Sequence, residues 1–251
     1  MKKIYVFTIM ILLSFADISQ AGLFDSIVKG VMGKSSQETD INTTTIDNDK
    51  IIPGLKEALT IGTRNAVDTV SKIDGYFGNK DIEILMPEKM QMVATILKQA
   101  GLNDHVDNFI LSMNRAAEKA GSKAAPLFVD AIKEMSVKDA GNILNGGDTA
   151  ATDYFRNKTS DKIYEAFKPT VSSSMNAVGV TRSYKEMMNK YQSIITTTNM
   201  PFIDKYSLDL DNYVTDEAIN GLFYMVGQEE KKIRTEPAAR VTDLLKTVFT
   251  K

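Results

Sequence analysis

Apolar residues recur along this chain at intervals of three and four, which predicts helices over most of its length. Gly54 to Ile73 carries the first such pattern. Met90, Val93, Ile96 and Leu97 mark a second, and Val106, Phe109, Ile110 and Met113 fall at i, i+3, i+4 and i+7 of a third. Leu127, Phe128, Ala131, Ile132 and Met135 give a fourth, entered through Pro126. Ser136 with Asp139 three residues on resembles a capping box, so a new helix is expected there. It should stop at Gly146-Gly147, with Asp148 placed to cap the next. Pro169 should break that long segment after Phe167. Thr181 is placed to cap a helix from Arg182 to Ile194, and 196–211 is loop-like. Thr215 ahead of Asp216-Glu217 suits another helix start, with Ile219, Leu222, Phe223, Val226 and Ile233 on one face. Pro237 suits a first helical position, and Val241, Leu244, Leu245, Val248 and Phe249 then form a stripe. The only strand-like stretch, Ile82 to Met86, is too short and isolated to build a sheet. The expected fold is all-α, a single multi-helix bundle-like domain over 51–251 with no evident internal repeat.

The first fifty residues read differently. Lys2 and Lys3 precede an uncharged apolar run from Ile4 to Ala16, and Ser19 and Ala21 place small residues at a cleavage site. This is the layout of a signal peptide over 1–21, cleaved after Ala21. The apolar run is shorter than the ~20 residues a bilayer crossing needs, which disfavours an uncleaved anchor. A periplasmic or secreted location is therefore expected. In 22–34, Leu23, Phe24, Ile27, Val28, Val31 and Met32 share one helical face. The new α-amino group, Lys29 and Lys34 against Asp25 leave this amphipathic arm a formal charge of about +2. It can dock on the helical domain or contact a partner or an anionic membrane surface, and the sequence leaves both open. Residues 35–50, rich in Ser, Thr, Asn and Asp, read as a flexible linker.

Composition narrows the chemistry. Thirty Lys and Arg stand against 32 Asp and Glu, and losing Lys2, Lys3 and Asp17 with the leader moves the formal charge from −2 to −3. That balance gives no basic field for nucleic acid. The absence of Cys excludes disulfides, thiol nucleophiles and a lipidated N-terminal Cys. His105 is the only histidine, so zinc sites built on His and Cys fail by count; it lies between Asp104 and Asp107 at an expected helix start. Gly33-Lys34-Ser35 imitates the end of a phosphate loop, but Val28 stands where the motif needs Gly. Ser26 and Lys29 have acyl-transfer spacing without the partner motifs. Asp209, Asp211 and Asn212 lack the turn Gly and distal Glu of a calcium loop. No cofactor and no metal site is expected.

Two polar groups stand out as candidate ligand-binding residues. Asn114, Arg115 and Glu118 fall within about one helical turn, so Arg115 and Glu118 can pair; a structural ion pair is the favoured reading. Tyr154 and Arg156 follow the Gly146-Gly147 corner and could join Arg115 in a polar pocket between helices. The functional expectation is a non-enzymatic protein binding an envelope protein or an apolar, lipid-like ligand. The thirteen Met allow an adaptable apolar groove. The alternatives are an envelope hydrolase, with Glu118 or Asp153 as general acid or base, and a structural scaffold.

Several stretches together resemble a known family. They are Gly54 to Leu59, Ser112 to Glu118, Pro126 to Ile132, Gly146 to Thr152, Tyr154-Phe-Arg156 and Lys158-Thr159. Tyr213-Val-Thr215, Gly221-Leu-Phe223 and Ala239 to Lys246 continue the match toward the end. They resemble domain-of-unknown-function family 4197, exported bacterial proteins. The resemblance implies an exported helical protein and carries no established activity, so it transfers no catalytic residue. Residues 22–50 look least like the family pattern.

Overall fold

The computed structural model describes residues 48–177, 179–198 and 209–236. All of these fall within one of the chain's two units, the one spanning 40–251. The expected leader, the amphipathic arm, most of the linker and the stripe after Pro237 lie outside the described residues. Eight helices and no strand occur among the described residues. They are α1 (Asn48–Ser71), α2 (Gln91–Gln99), α3 (Asn103–Gly121) and α4 (Ala124–Glu134), then α5 (Val137–Asn145), α6 (Ala150–Ala177), α7 (Val180–Thr198) and α8 (Leu210–Thr235). A 3-10 turn over Glu88–Met90 leads into α2. None of these helices is long and apolar enough to cross a membrane.

The apolar stripes meet around α6 and α8. α8 packs on α6, α1 and α3, while α6 also packs on α3 and α4. Phe128 of α4, Phe155 of α6 and Phe223 of α8 are almost wholly buried. Phe128 meets Phe155 at 5.2 Å and Phe223 at 6.0 Å, both edge to face. That arrangement sets the positive ring edge against the negative face and adds about 0.5–1.5 kcal/mol per pair beyond burial.

Local signals hold where the partner is close in sequence. Ser136 accepts from the Asp139 amide, and Asp139 accepts from the Ser136 amide, so the capping box forms. α5 then ends at Asn145, before Gly146-Gly147. α1 begins at Asn48, inside the segment expected as linker.

Four boundary expectations are overturned. Pro169 lies inside α6, which continues to Ala177. A mid-helix proline costs about 3 kcal/mol. Phe167, Val171 and Met175 are buried on either side of it, at roughly 1.5–3 kcal/mol each, and their burial outweighs that loss. The break comes instead at Gly179, whose φ of +84° is the left-handed form glycine adopts after a helix. Thr181 is then already inside α7, and its hydroxyl donates to Asn176 Oδ1 at 3.0 Å. Thr215 does not precede a helix either. α8 starts at Leu210, capped by Asp209, whose Oδ1 accepts the Asn212 amide at 3.0 Å. Thr215 is buried within α8, its hydroxyl donating to the Asp211 carbonyl. Asp148, expected to cap α6, is supplanted by a carboxylate from α8, described below.

The segment from Ile82 to Met86 buries Ile82, Ile84 and Met86 and leaves Leu85 58% exposed. The alternation of a strand is present, but what pairs with its backbone is a side chain of α3.

Candidate functional site

α3 carries Asn114, Arg115 and Glu118 on the side facing the 72–86 connection. Asn114 is fully buried. Its Oδ1 accepts the Ile84 N–H at 2.8 Å, and its Nδ2 donates to the Ile84 carbonyl at 2.9 Å. Nδ2 also donates to the Ile110 carbonyl. One carboxamide thus supplies Ile84 with both bonds a neighbouring strand would make. Glu118, one turn on, is 4% exposed. Its Oε1 accepts the Tyr76 and Phe77 amides at 3.3 Å each, and its Oε2 accepts from Arg115 Nη1 at 2.7 Å. Arg115 Nη2 reaches Asp74 Oδ1 at 2.6 Å. Asp74 has φ +62°, uncommon for a residue with a side chain, and the arginine holds that turn. The next residue must be glycine, because a Cβ at Gly75 would lie 2.4 Å from the Thr69 carbonyl oxygen. Tyr76 is buried and donates to the Ala218 carbonyl of α8. Burial, then the Glu118 charge, pushes its hydroxyl pKa far up. Together these bonds strap the connection to α3 and α8.

Tyr154 and Arg156 lie elsewhere. The Tyr154 hydroxyl donates to the Ala131 carbonyl at 2.8 Å, fixing α6 to α4. Burial, with the charges of Asp139 and Glu134, lifts its pKa to about 12. The Arg156 guanidinium stands 4.6 Å from the Phe223 ring centroid. Among the described residues, no hydrogen bond, ion pair or ring contact links Tyr154 or Arg156 to the Asn114 group. Asp153 is exposed and its Oδ2 accepts the Thr149 hydroxyl at 3.1 Å. The oxygens of Asp209, Asp211 and Asn212 accept from protein donors: Asp209 from Asn212, Asn212 from the Tyr164 hydroxyl, and Asp211 from Ser172.

The sequence pattern did not single out the polar junction at the start of α6. Glu230 of α8 is 7% exposed. Its Oε1 accepts the Ala151 amide at 2.9 Å, and its Oε2 accepts the Thr152 amide at 2.8 Å and hydroxyl at 2.7 Å. Arg234, one turn further along α8, donates to the same carboxylate at 2.8 Å and to the Ile143 carbonyl at 2.9 Å. A helix N-terminus presents unpaired amides and partial positive charge, and here the protein's own carboxylate fills that place. The available signal was the Glu230/Arg234 spacing on a helix whose neighbouring Val226 and Ile233 are apolar.

Next to this junction, α1 and α8 border an open groove of about 590 Å³. Ile61 and Ile233 supply its apolar part, and Asn65 and Thr69 contribute polar groups. Its charges are Asp68, Lys72, Glu229 and Lys232. Glu229 is nearly buried, held by Asn65 Nδ2 at 2.9 Å and by Lys232 Nζ at 2.6 Å.

No curated protein and no solved structure matches the chain. The profile of one family, described as "Protein of unknown function (DUF4197)", matches residues 45–250. That span takes in all eight helices, the strap on α3 and the Glu230 junction. By a match over most of its length, joined to the helical fold the motifs implied, the chain belongs to the DUF4197 family.

Proposed function

We propose that the protein is exported to the cell envelope and there binds an amphipathic, lipid-like ligand without chemical conversion. The observation carrying this reading is the α1–α8 groove. Ile61 and Ile233 offer an apolar surface to a ligand stem, and Asn65 and Thr69 offer hydrogen bonds to a head group. Two acids, Asp68 and Glu229, face two lysines, Lys72 and Lys232, so the groove favours neither sign of net charge. A zwitterionic or neutral head group suits that balance. Export rests on the leader-like sequence of residues 1–21.

The hydrolase reading loses support at Glu118, whose two oxygens both serve the strap. Native mass spectrometry of the full-length product recovered from its own compartment tests the proposal. The expected species begins at Gly22 and carries a bound amphiphile. Thr69→Trp, which fills the groove from its half-buried margin, should abolish retention while leaving the melting temperature within a few degrees. Ligand-free protein, or a ligand retained equally by the variant, refutes the groove. A chain that keeps residues 1–21 refutes export.

A further inference from the structure

α8 ends at Thr235, and Glu229, Lys232 and Ile233 of its last turns form one wall of the groove shared with α1. Residues 237–249 follow at once and lie outside the described residues. Their sequence carries a helix start at Pro237 and a stripe of Val241, Leu244, Leu245, Val248 and Phe249. Arg240, Asp243 and Lys246 fall off that stripe. A helix this short is marginal alone, so such a stripe needs a surface that buries it. The family profile runs to residue 250, so the segment belongs to the shared domain, unlike the arm at 22–34.

The groove suits this segment in direction, length and ends. Gly62 stands opposite Ile233, where an added Cβ would lie 3.4 Å from its Cδ1, and Asn65 bonds Glu229. The pairing moves up α1 as it moves down α8, so the two helices run antiparallel. A chain reversing after Thr235 therefore travels back along the groove toward the end of α1. At 1.5 Å per residue, Ile61 to Ser71 spans about 15 Å, and Ala238 to Phe249 as helix about 16 Å. At the near end, Ile61 and Ile233 sit with buried Ala58 in one apolar cluster. At the far end, Ile73 follows Lys72 and is 77% exposed, the highest figure among the described large apolar side chains. The stems of Lys72 and Lys232 add apolar surface to the groove. We propose that residues 237–249 dock as a helix in the α1–α8 groove, Val241 and Leu244 toward Ile61 and Ile233, Val248 toward Ile73. The docked segment closes the groove, and a ligand enters by displacing it. That second step rests on the ligand reading above; the docking does not.

The test uses the full chain from Gly22. It has no Cys, so Thr247→Cys takes a single nitroxide label away from the stripe. In the ligand-free protein the amide signals of Asp68 and Lys72 should lose most of their height. That of Lys190 on α7, which packs on α2, α3 and α6, should keep its height. Leu244→Asp with Leu245→Asp should restore the Asp68 and Lys72 signals, and both substitutions lie outside the eight helices. No selective broadening, or broadening that survives the double substitution, overturns the docking. Broadening from a label at Ser26→Cys instead, or only between separate copies in a mixed sample, gives the groove to the arm or to a second molecule and also overturns it. Dodecylphosphocholine below its micelle concentration then probes displacement. Relief of the broadening, with about tenfold tighter binding to the double variant, supports it, and equal affinity for both chains overturns it. Docking with no detergent bound to either chain sinks the ligand reading and leaves the docked segment standing.

Discussion

Replacing Glu230 with Ala removes the carboxylate that closes the α6 N-terminus. Three donors lose their acceptor at once: the Ala151 amide, the Thr152 amide and the Thr152 hydroxyl. Arg234 loses its carboxylate partner but keeps the Ile143 carbonyl. Each buried donor left unmade costs about 1–3 kcal/mol, and breaking a buried ion pair from one side costs about 3–5 kcal/mol. These costs overlap, because the same carboxylate serves all the donors and water can enter the space it leaves. The sum is therefore too large, and a loss of about 3–5 kcal/mol is expected. In a domain of about 200 residues, where 1 kcal/mol moves Tm by roughly 2–4 °C, this lowers Tm by roughly 6–20 °C. Glu230→Gln keeps the shape but turns one acceptor into a donor facing other donors, so it should lose about 1.5–3 kcal/mol. Urea unfolding followed by circular dichroism measures both, with a common m-value as the check on two-state behaviour. Hydrogen exchange should show the first amides of α6 opening before those of α3. A loss below about 1 kcal/mol for Glu230→Ala would refute the view that a distant carboxylate caps α6.

Four further outcomes follow from the same geometry. Asn114→Leu leaves the Ile84 N–H and carbonyl unpaired in the interior, so it should cost about 2–4 kcal/mol and remove exchange protection at the Ile84 amide. Gly221→Ala places a Cβ 2.6 Å from Tyr76 Cε1 and 3.1 Å from Ile82 Cβ, so denaturant unfolding should show a loss of about 1–3 kcal/mol. Pro169→Ala restores a helical amide at an exposed position of α6 and should raise Tm by a few degrees in calorimetry. Tyr154 and Tyr213 have pKa values raised, chiefly by burial, from 10.0 to about 12. Above pH 10 the unfolded chain therefore binds fewer protons than the folded one, and stability should fall as pH rises from 10 to 12. Tyr154→Phe and Tyr213→Phe should flatten that slope in melting curves taken across the range.

Sequence alone determined the helical class, because a stripe spaced at three and four has only one way to bury itself. It also placed the capping box at Ser136 and Asp139, whose reciprocal bonds span only three residues. The Arg115–Glu118 pair was legible for the same reason. Tertiary structure decided what depends on partners far along the chain. Pro169 carries a local instruction to stop, overruled by the buried residues around it, while Gly179 supplies the stop through its backbone conformation. Glu230 meets amides 78 and 79 residues away, and Asn114 meets a backbone 30 residues away. Arg156 was visible as a residue type, but its approach to 4.6 Å from the Phe223 ring centroid, 67 residues further along the chain, came only from packing. Periodicity fixes which face of a helix turns inward, and only packing fixes which distant group that face meets.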